Sequence, residues 1–181
     1  MKHLKKFLEY ADFDVSATDL PDVKVAKEKM TTIQKQLTEY KTKKPIIDKL
    51  YAEVKEPEKI EAGLQNILGK QDIQNGIDRN PFLVEYVHLA KLKSDLDNMS
   101  QQNVDDKVKL DDFQQELRGA TDDAMRKSIG AKITEINNRM GQRVRDIQKV
   151  QNELQTSFKE HNDKMTKMGG EMKDYISKIS S

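Results

Sequence analysis

Three histidines, the side chains that most readily titrate near neutral pH, lie far apart in this chain at His3, His88 and His161. None belongs to a zinc-binding His-Glu-x-x-His sequence, and the chain has no cysteine to supply a thiolate or a disulfide. His88 stands between apolar Val87 and Leu89, which indicates a surface or boundary position on a helix. His161 lies on an apolar stripe, where it is either a tolerated polar core residue or a pH-sensitive element of helix association.

Adjacent carboxylates are the other group that could do chemistry, and they recur at Asp105-Asp106, Asp111-Asp112 and Asp122-Asp123. Neighbours on a helix point about 100° apart, so these pairs do not share a proton and instead predict solvated faces or helix starts. The chain has no calcium-binding loop and no glycine-rich phosphate loop, and Ser128 near Gly130 has no strand-to-helix elbow around it. We therefore expect no enzyme activity and no catalytic, cofactor-binding or metal site.

The balance of charge also restricts the function. Lysine and arginine number 32 against 31 aspartates and glutamates, and both signs are interspersed along the chain. This pattern predicts no nucleic-acid partner, because such proteins concentrate basic residues on one face to neutralise phosphates. No run approaches the roughly 18 to 20 apolar residues of a membrane span, and the short amphipathic start predicts neither a signal peptide nor a stable membrane anchor. Together with the lack of cysteine, this predicts a cytoplasmic location.

Composition predicts the fold class. Apolar residues make up only 35% of the chain and charged residues another 35%, which is too few apolar side chains to fill a thick core. Strong helix formers dominate, and no segment combines period-two alternation with hairpin turns. We therefore expect an all-α, elongated rod of long helices, with about three quarters or more of the residues helical, well above the base rate of about one third.

The first half predicts several helices. A short apolar segment from Leu4 to Ala11 comes first, and a long helix starts near Pro21, with Thr18 or Asp19 as its cap. Pro45 predicts a kink or break near Lys43 and Lys44. The long helix carries an apolar stripe at spacings of three, four and seven, formed by Val23, Ala26, Met30, Ile33, Leu37 and Tyr40.

Two further helices begin at prolines in their first turns, Pro57 and Pro81, with a loop over residues 69–80 between them. The polar residues 100–106 predict a turn. Thr121 is the expected cap of the last helical segment.

The C-terminal segment carries a long apolar stripe, first at Met125, Ile129, Ile133, Ile136, Met140, Val144, Ile147 and Val150. From Leu154 the spacing alternates strictly between four and three, through Phe158, His161, Met165, Met168, Met172, Tyr175 and Ile179. This heptad pattern predicts a partner helix, and its methionines form either core or an adaptable partner-binding face. Gly169-Gly170 leaves open whether residues 120–179 form one helix or two.

The apolar spacing of the long helix resembles the second helix of a spectrin repeat, at Leu20, Val23, Met30, Ile33 and Leu37. Tyr86-x-x-Leu89 is similar to the Trp-x-x-Leu of the third helix, although this chain has no tryptophan. The resemblance implies an antiparallel three-helix bundle. It covers residues 1–99 as a spectrin-like repeat and leaves residues 100–181 as a second, shortened repeat or as long coiled-coil helices.

Three segments narrow the resemblance to the first rod repeat of α-actinin-type actin cross-linkers, namely residues 40–45, 63–68 and 79–82. This resemblance implies a cytoskeletal rod that forms an antiparallel homodimer. It would set the distance between actin-binding heads, and contact with actin would run through domains outside this chain.

Two other all-α functions fit the same composition. A membrane-binding helical dimer of the BAR kind would need lysines gathered on one concave surface. A bacterial or phage coiled-coil adaptor would differ in its flanking sequence.

Overall fold

The computed structural model describes residues 15–16, 19–69 and 80–180. Four helices lie in these ranges, namely α1 (Pro21–Glu53), α2 (Pro57–Leu68), α3 (Pro81–Gly119) and α4 (Asp123–Ile179). The described residues are 92% helical and include no strand, which confirms the all-α prediction. The predicted helix from Leu4 to Ala11 and residues 70–79 of the predicted loop lie outside the described residues.

The chain divides into two compact units. The first comprises Met1–Ala90 and Ser157–Ser181, and the second comprises Lys91–Thr156. The boundary predicted between residues 99 and 100 falls inside α3. The assignment of repeats to residues 1–99 and 100–181 stays a prediction.

In the first unit, α1 packs antiparallel to the end of α4. The apolar stripe predicted for α1 supplies Met30, Ile33 and Leu37 to a core that also contains Met168 and Met172 of α4. Phe82, Met165, Tyr175, Ile176 and Ile179 complete this core or pack against it. The C-terminal heptad stripe therefore finds a partner helix within the same chain.

A second core of the first unit lies between α1, α2 and the start of α3. Ile47, Tyr51 and Leu83 are buried there, and α2 covers them with one amphipathic face. The α2 residues on that face are Ile60, Leu64, Ile67 and Leu68. Short α2 thus closes one side of the α1 surface.

The second unit is an antiparallel helical hairpin formed by residues 91–119 of α3 and 123–156 of α4. The turn predicted at residues 100–106 is wrong, because α3 continues through it without interruption. The stretch holds no glycine or proline. Asn103 and Asp106 occupy the seam positions that follow Met99, so polar residues that suggested a turn belong to the helix interface.

Helix α4 is a single helix of 57 residues, and Gly169-Gly170 does not end it. Its seam differs from the prediction at three places, the first of which is Met125, which is 44% exposed. Arg143 takes the seam position assigned to Val144, which is exposed. Phe158 is 57% exposed instead of lying in the seam.

The helix starts differ from prediction in their caps. Leu20 precedes α1 and makes no side-chain cap hydrogen bond. Asp19 instead accepts hydrogen bonds from the backbone N–H of Ser16 and from Lys27 Nζ, while Thr18 lies outside the described residues. At α4 the cap is Asp122 rather than Thr121, because Asp122 Oδ1 accepts the N–H of Met125 at 2.7 Å.

Pro45 lies inside α1, which continues to Glu53, so of the kink or break predicted near Lys43 and Lys44 the break does not occur. Proline has no N–H to donate to the carbonyl four residues earlier. Burial of Leu37 before the proline and of Ile47 and Tyr51 after it holds the helix together across this lost hydrogen bond.

Replacing Gly170 by alanine is expected to stabilise the protein by about 1 kcal/mol, because glycine is the weakest non-proline helix former. A Cβ at this position meets no atom within 4 Å. Gly63→Ala is the matched comparison, since its Cβ would lie 2.6 Å from Leu50 Cδ1 and displace that side chain. Chemical denaturation should show a gain for Gly170→Ala and a smaller gain or a loss for Gly63→Ala.

Candidate functional site

His161 is buried in the first unit, with 5% of its surface exposed, at the centre of a polar group that we call the histidine cluster: His161, Tyr40, Glu85 and Lys164. Its Nε2 lies 3.3 Å from Tyr40 Oη, and its Nδ1 lies 3.2 Å from Glu85 Oε2. Lys164 Nζ donates to the other oxygen of Glu85. Helices α1, α3 and α4 each contribute to the cluster, in which the contact of Tyr40 with His161 joins residues 121 positions apart.

The electrostatics of the histidine cluster favour a satisfied structural group. In the tautomer that carries its proton on Nδ1, His161 donates to Glu85, while Nε2 accepts the hydroxyl proton of Tyr40. Burial raises the pKa of Tyr40, so this phenol stays protonated and able to donate. The Glu85 carboxylate raises the pKa of Lys164, which stays charged. Both ring nitrogens therefore have partners within the chain.

Tyr86 lies beside the histidine cluster and forms an edge-on ring contact with Tyr40, with centroids 5.6 Å apart. Its hydroxyl donates to Asp48 and accepts from Lys44 Nζ at 2.5 Å. Burial, and then the hydrogen bond to Asp48, raise the pKa of Tyr86. These contacts tie α1 to α3 through groups that are already paired.

A second polar group, the aspartate cluster, lies in the second unit and consists of Asp106, Asn103, Arg139 and Arg143. Asp106 is 4% exposed, and both of its oxygens accept from Arg139, at 2.6 and 2.9 Å. Arg143 Nη1 donates to Asp106 Oδ2 at 2.9 Å and to Asn103 Oδ1 at 2.8 Å. The hydrogen bond from Arg139, and then that from Arg143, hold the pKa of Asp106 well below its usual range.

Asn80 joins the start of α3 to the middle of α1. Its Oδ1 accepts the N–H of Phe82 at 3.1 Å, which caps α3. Its Nδ2 donates to the Gln36 carbonyl at 2.6 Å and to Glu39 Oε2 at 3.2 Å. One buried amide therefore satisfies a helix end and a neighbouring helix together.

Asn80→Ala is expected to lower the free energy of unfolding by about 1–3 kcal/mol, since it removes the cap and leaves buried polar partners unpaired. Asn80→Ser retains a capping oxygen and should lose less. Urea denaturation of both variants separates the two contributions. If both variants lost the same free energy of unfolding, the whole effect would come from the contact with α1 and none from the cap.

The other candidate residues are dispersed. His3 lies outside the described residues, and His88 is exposed on α3. The paired aspartates fall on helix surfaces or at the start of α4, with the exception of Asp106. Met168 and Met172 are core residues.

The sequence interpretation missed Asp106 and Arg143. The available signal was the strict alternation of four and three, which continues from Met99 through Asn103 and Asp106 to Leu110. It also places Arg143 midway between Met140 and Ile147. Spacing, more than polarity, identifies these seam positions.

A small open cavity of about 100 Å³ lies between α1 and α4, lined by Asp22, Val25, Ala26, Tyr175 and Lys178. This volume is below the roughly 300 Å³ at which small-molecule pockets usually begin. Over the ranges that the structure describes, no three His, Asp or Glu residues gather as a metal-binding group. Among the described helices, none is apolar over a length sufficient to cross a membrane.

The histidine cluster and the aspartate cluster are therefore the features of the described structure from which a function can be inferred. Comparison with protein-family models, curated proteins and solved structures gives no significant match to this chain.

Proposed function

We propose that this chain is a non-catalytic helical spacer that holds the parts of an assembly at a fixed separation. The observation that carries the proposal is the unbroken α4, whose inward residues recur at spacings of three and four from Ile129 to Leu154 and again from His161 to Ile179. That spacing is the coiled-coil repeat, in which each seam residue packs into a facing helix. A helix of this kind transmits position along its axis and needs no reactive group.

The polar clusters support the same function. In both clusters the charged or titratable groups are hydrogen-bonded to side chains on facing helices. Such pairing orients helices against each other. These hydrogen bonds occupy the lone pairs and protons of the paired groups, which are therefore not available to react with a substrate.

The specific form that we propose is a spectrin-like rod that pairs with a second copy in antiparallel orientation, as in an α-actinin-type actin cross-linker. It rests on the spacing of Leu20, Val23 and Met30 and on the residues around Pro45 and Pro81. Phe158 is a suitable contact for a second copy, because its large aromatic side chain is 57% exposed and would bury apolar surface in a dimer.

Sedimentation equilibrium of the purified chain tests the pairing. We expect a dimer at micromolar concentration and a shift toward monomer for Phe158→Ser. Val108→Ser, at an equally exposed apolar position in the other unit, is the matched control and should leave the dimer unchanged. A wild-type monomer up to about 100 μM, a Kd equivalent to only about −5.5 kcal/mol, would contradict the pairing.

Small-angle scattering tests the spacer itself. A compact chain of 181 residues has a radius of gyration of about 16 Å, and a spacer should exceed this value clearly. Binding to vesicles of anionic lipid in a co-sedimentation assay would instead favour the BAR-like function. A compact monomer that binds no vesicle would contradict both.

A further inference from the structure

The seam of the second unit is regular on both helices. On α3 it alternates at four and three through Leu92, Leu96, Met99, Asn103, Asp106, Leu110, Phe113 and Leu117. On α4 it does the same through Ile129, Ile133, Ile136, Met140, Arg143, Ile147, Val150 and Leu154. The contacts of Asp106 and Asn103 with Arg143 define how these two series face each other.

A regular heptad seam leaves its own register ambiguous. Sliding one helix by seven residues returns seam residues to seam positions, so apolar side chains again meet apolar side chains. Burial of the leucines, isoleucines and methionines therefore distinguishes weakly between the observed register and its neighbours. A specific polar contact on the seam can distinguish these registers where apolar burial does not.

The contacts of the aspartate cluster are lost when the register changes. If α4 slides by one heptad in one direction, Asp106 faces Asp146 and Val150, and Arg143 faces Leu110 and Phe113. If it slides in the other direction, Asp106 faces Lys132 and Ile136. Either slip removes at least one buried charge from its partner, which is strongly unfavourable.

We propose that the aspartate cluster is a register lock, which restricts the hairpin of residues 91–156 to one alignment of its two helices. The lock acts through the exclusion of slipped states more than through added stability. Replacement of a buried ion pair by apolar side chains is often neutral or stabilising. The proposal stands independently of any pairing with a second copy.

The absence of cysteine from the chain allows a direct test by disulfide trapping. Asn103 contacts Arg143 in the observed register. Met99 lies four positions before Asn103 and Ile147 lies four positions after Arg143, so Met99 and Ile147 face each other across the hairpin. A disulfide between Met99→Cys and Ile147→Cys therefore reports the observed register. Met99→Cys with Leu154→Cys, or with Met140→Cys, reports the two slipped registers. Cross-links within one chain are counted at submicromolar protein concentration in a redox buffer.

In the wild-type background we expect cross-linking of the Met99–Ile147 pair alone. Combining Asn103→Leu, Asp106→Leu and Arg143→Leu should raise cross-linking of the slipped pairs by about tenfold while circular dichroism shows the helices retained. The control also introduces three leucines, but at exposed positions, and should keep a single register. Its substitutions are Gln102→Leu, Asp112→Leu and Arg145→Leu.

A reversed-charge variant keeps the test decisive if the apolar variant fails to fold. Asp106→Arg with Arg139→Asp and Arg143→Asp restores opposite charges, and we expect it to cross-link only the native pair. Slipped cross-links in the wild type would overturn the proposal. So would a folded apolar variant that remains in one register.

Discussion

Replacing Met172 by alanine is expected to lower the free energy of unfolding by about 2–5 kcal/mol, the range for truncation of a buried methionine. Only 1% of Met172 is exposed, and it packs in the core that α1 and α4 form in the first unit. Truncation removes apolar surface from this core and leaves a cavity that its neighbours only partly refill. Urea denaturation followed by circular dichroism at 222 nm measures the loss.

Met125→Ala is the matched control, because this methionine lies on the same helix and is 44% exposed. We expect a change within about 0.5 kcal/mol. The comparison also decides between the two interpretations of the C-terminal methionines. If Met172→Ala left stability unchanged but weakened binding to a partner helix, the methionines would form an adaptable binding face instead of a core.

The sequence predicts the core of α1 well because its burial follows one periodicity. Met30, Ile33 and Leu37 recur at helical spacing, and the structure buries all of them. Their covering partners, Met168 and Met172, also lie on a predicted stripe. What the spacing leaves open is the identity of the partner helix, because any apolar stripe can cover another.

Polar seam residues explain the largest difference between prediction and structure. Asn103 and Asp106 sit among polar neighbours, so composition favours a turn where α3 is continuous. The arginines that pair with these two side chains lie more than thirty residues away, at Arg139 and Arg143. This long-range pairing cannot be predicted from local helix propensity alone.

The contacts of the histidine cluster and of Asn80 also cannot be predicted from local sequence, because they join residues that lie far apart in the chain. The stripe predicts His161 at a seam position, and the structure supplies its partners Tyr40 and Glu85 from two other helices. Asn80 is recognisable as a residue that precedes a helix. Its hydrogen bonds to Gln36 and Glu39 depend on the parallel packing of α3 along α1.

Asp106→Asn is expected to cost about 2–3 kcal/mol of unfolding free energy at neutral pH, the scale of charged hydrogen bonds lost at a buried site. The amide keeps the shape of the side chain but removes the negative charge that Arg139 and Arg143 both contact. Arg143 is itself largely buried and has little access to water in compensation. Asp112→Asn, at an exposed position of the same helix, should change stability by less than about 0.5 kcal/mol.

The pH dependence of this difference identifies the carboxylate as its source. The hydrogen bonds from Arg139 and then Arg143 depress the folded-state pKa of Asp106 below its ordinary value of 3.8. As pH falls below that value, the unfolded chain binds a proton at Asp106 while the folded chain keeps this carboxylate ionised. The stabilisation that Asp106 provides above about pH 4 therefore declines progressively as the pH falls. The difference between wild type and Asp106→Asn should stay constant from about pH 7 to pH 5 and shrink below about pH 4. A difference that instead shrinks as pH rises from 5 to about 8 would assign the effect to another group, since a depressed carboxylate pKa produces the opposite sign.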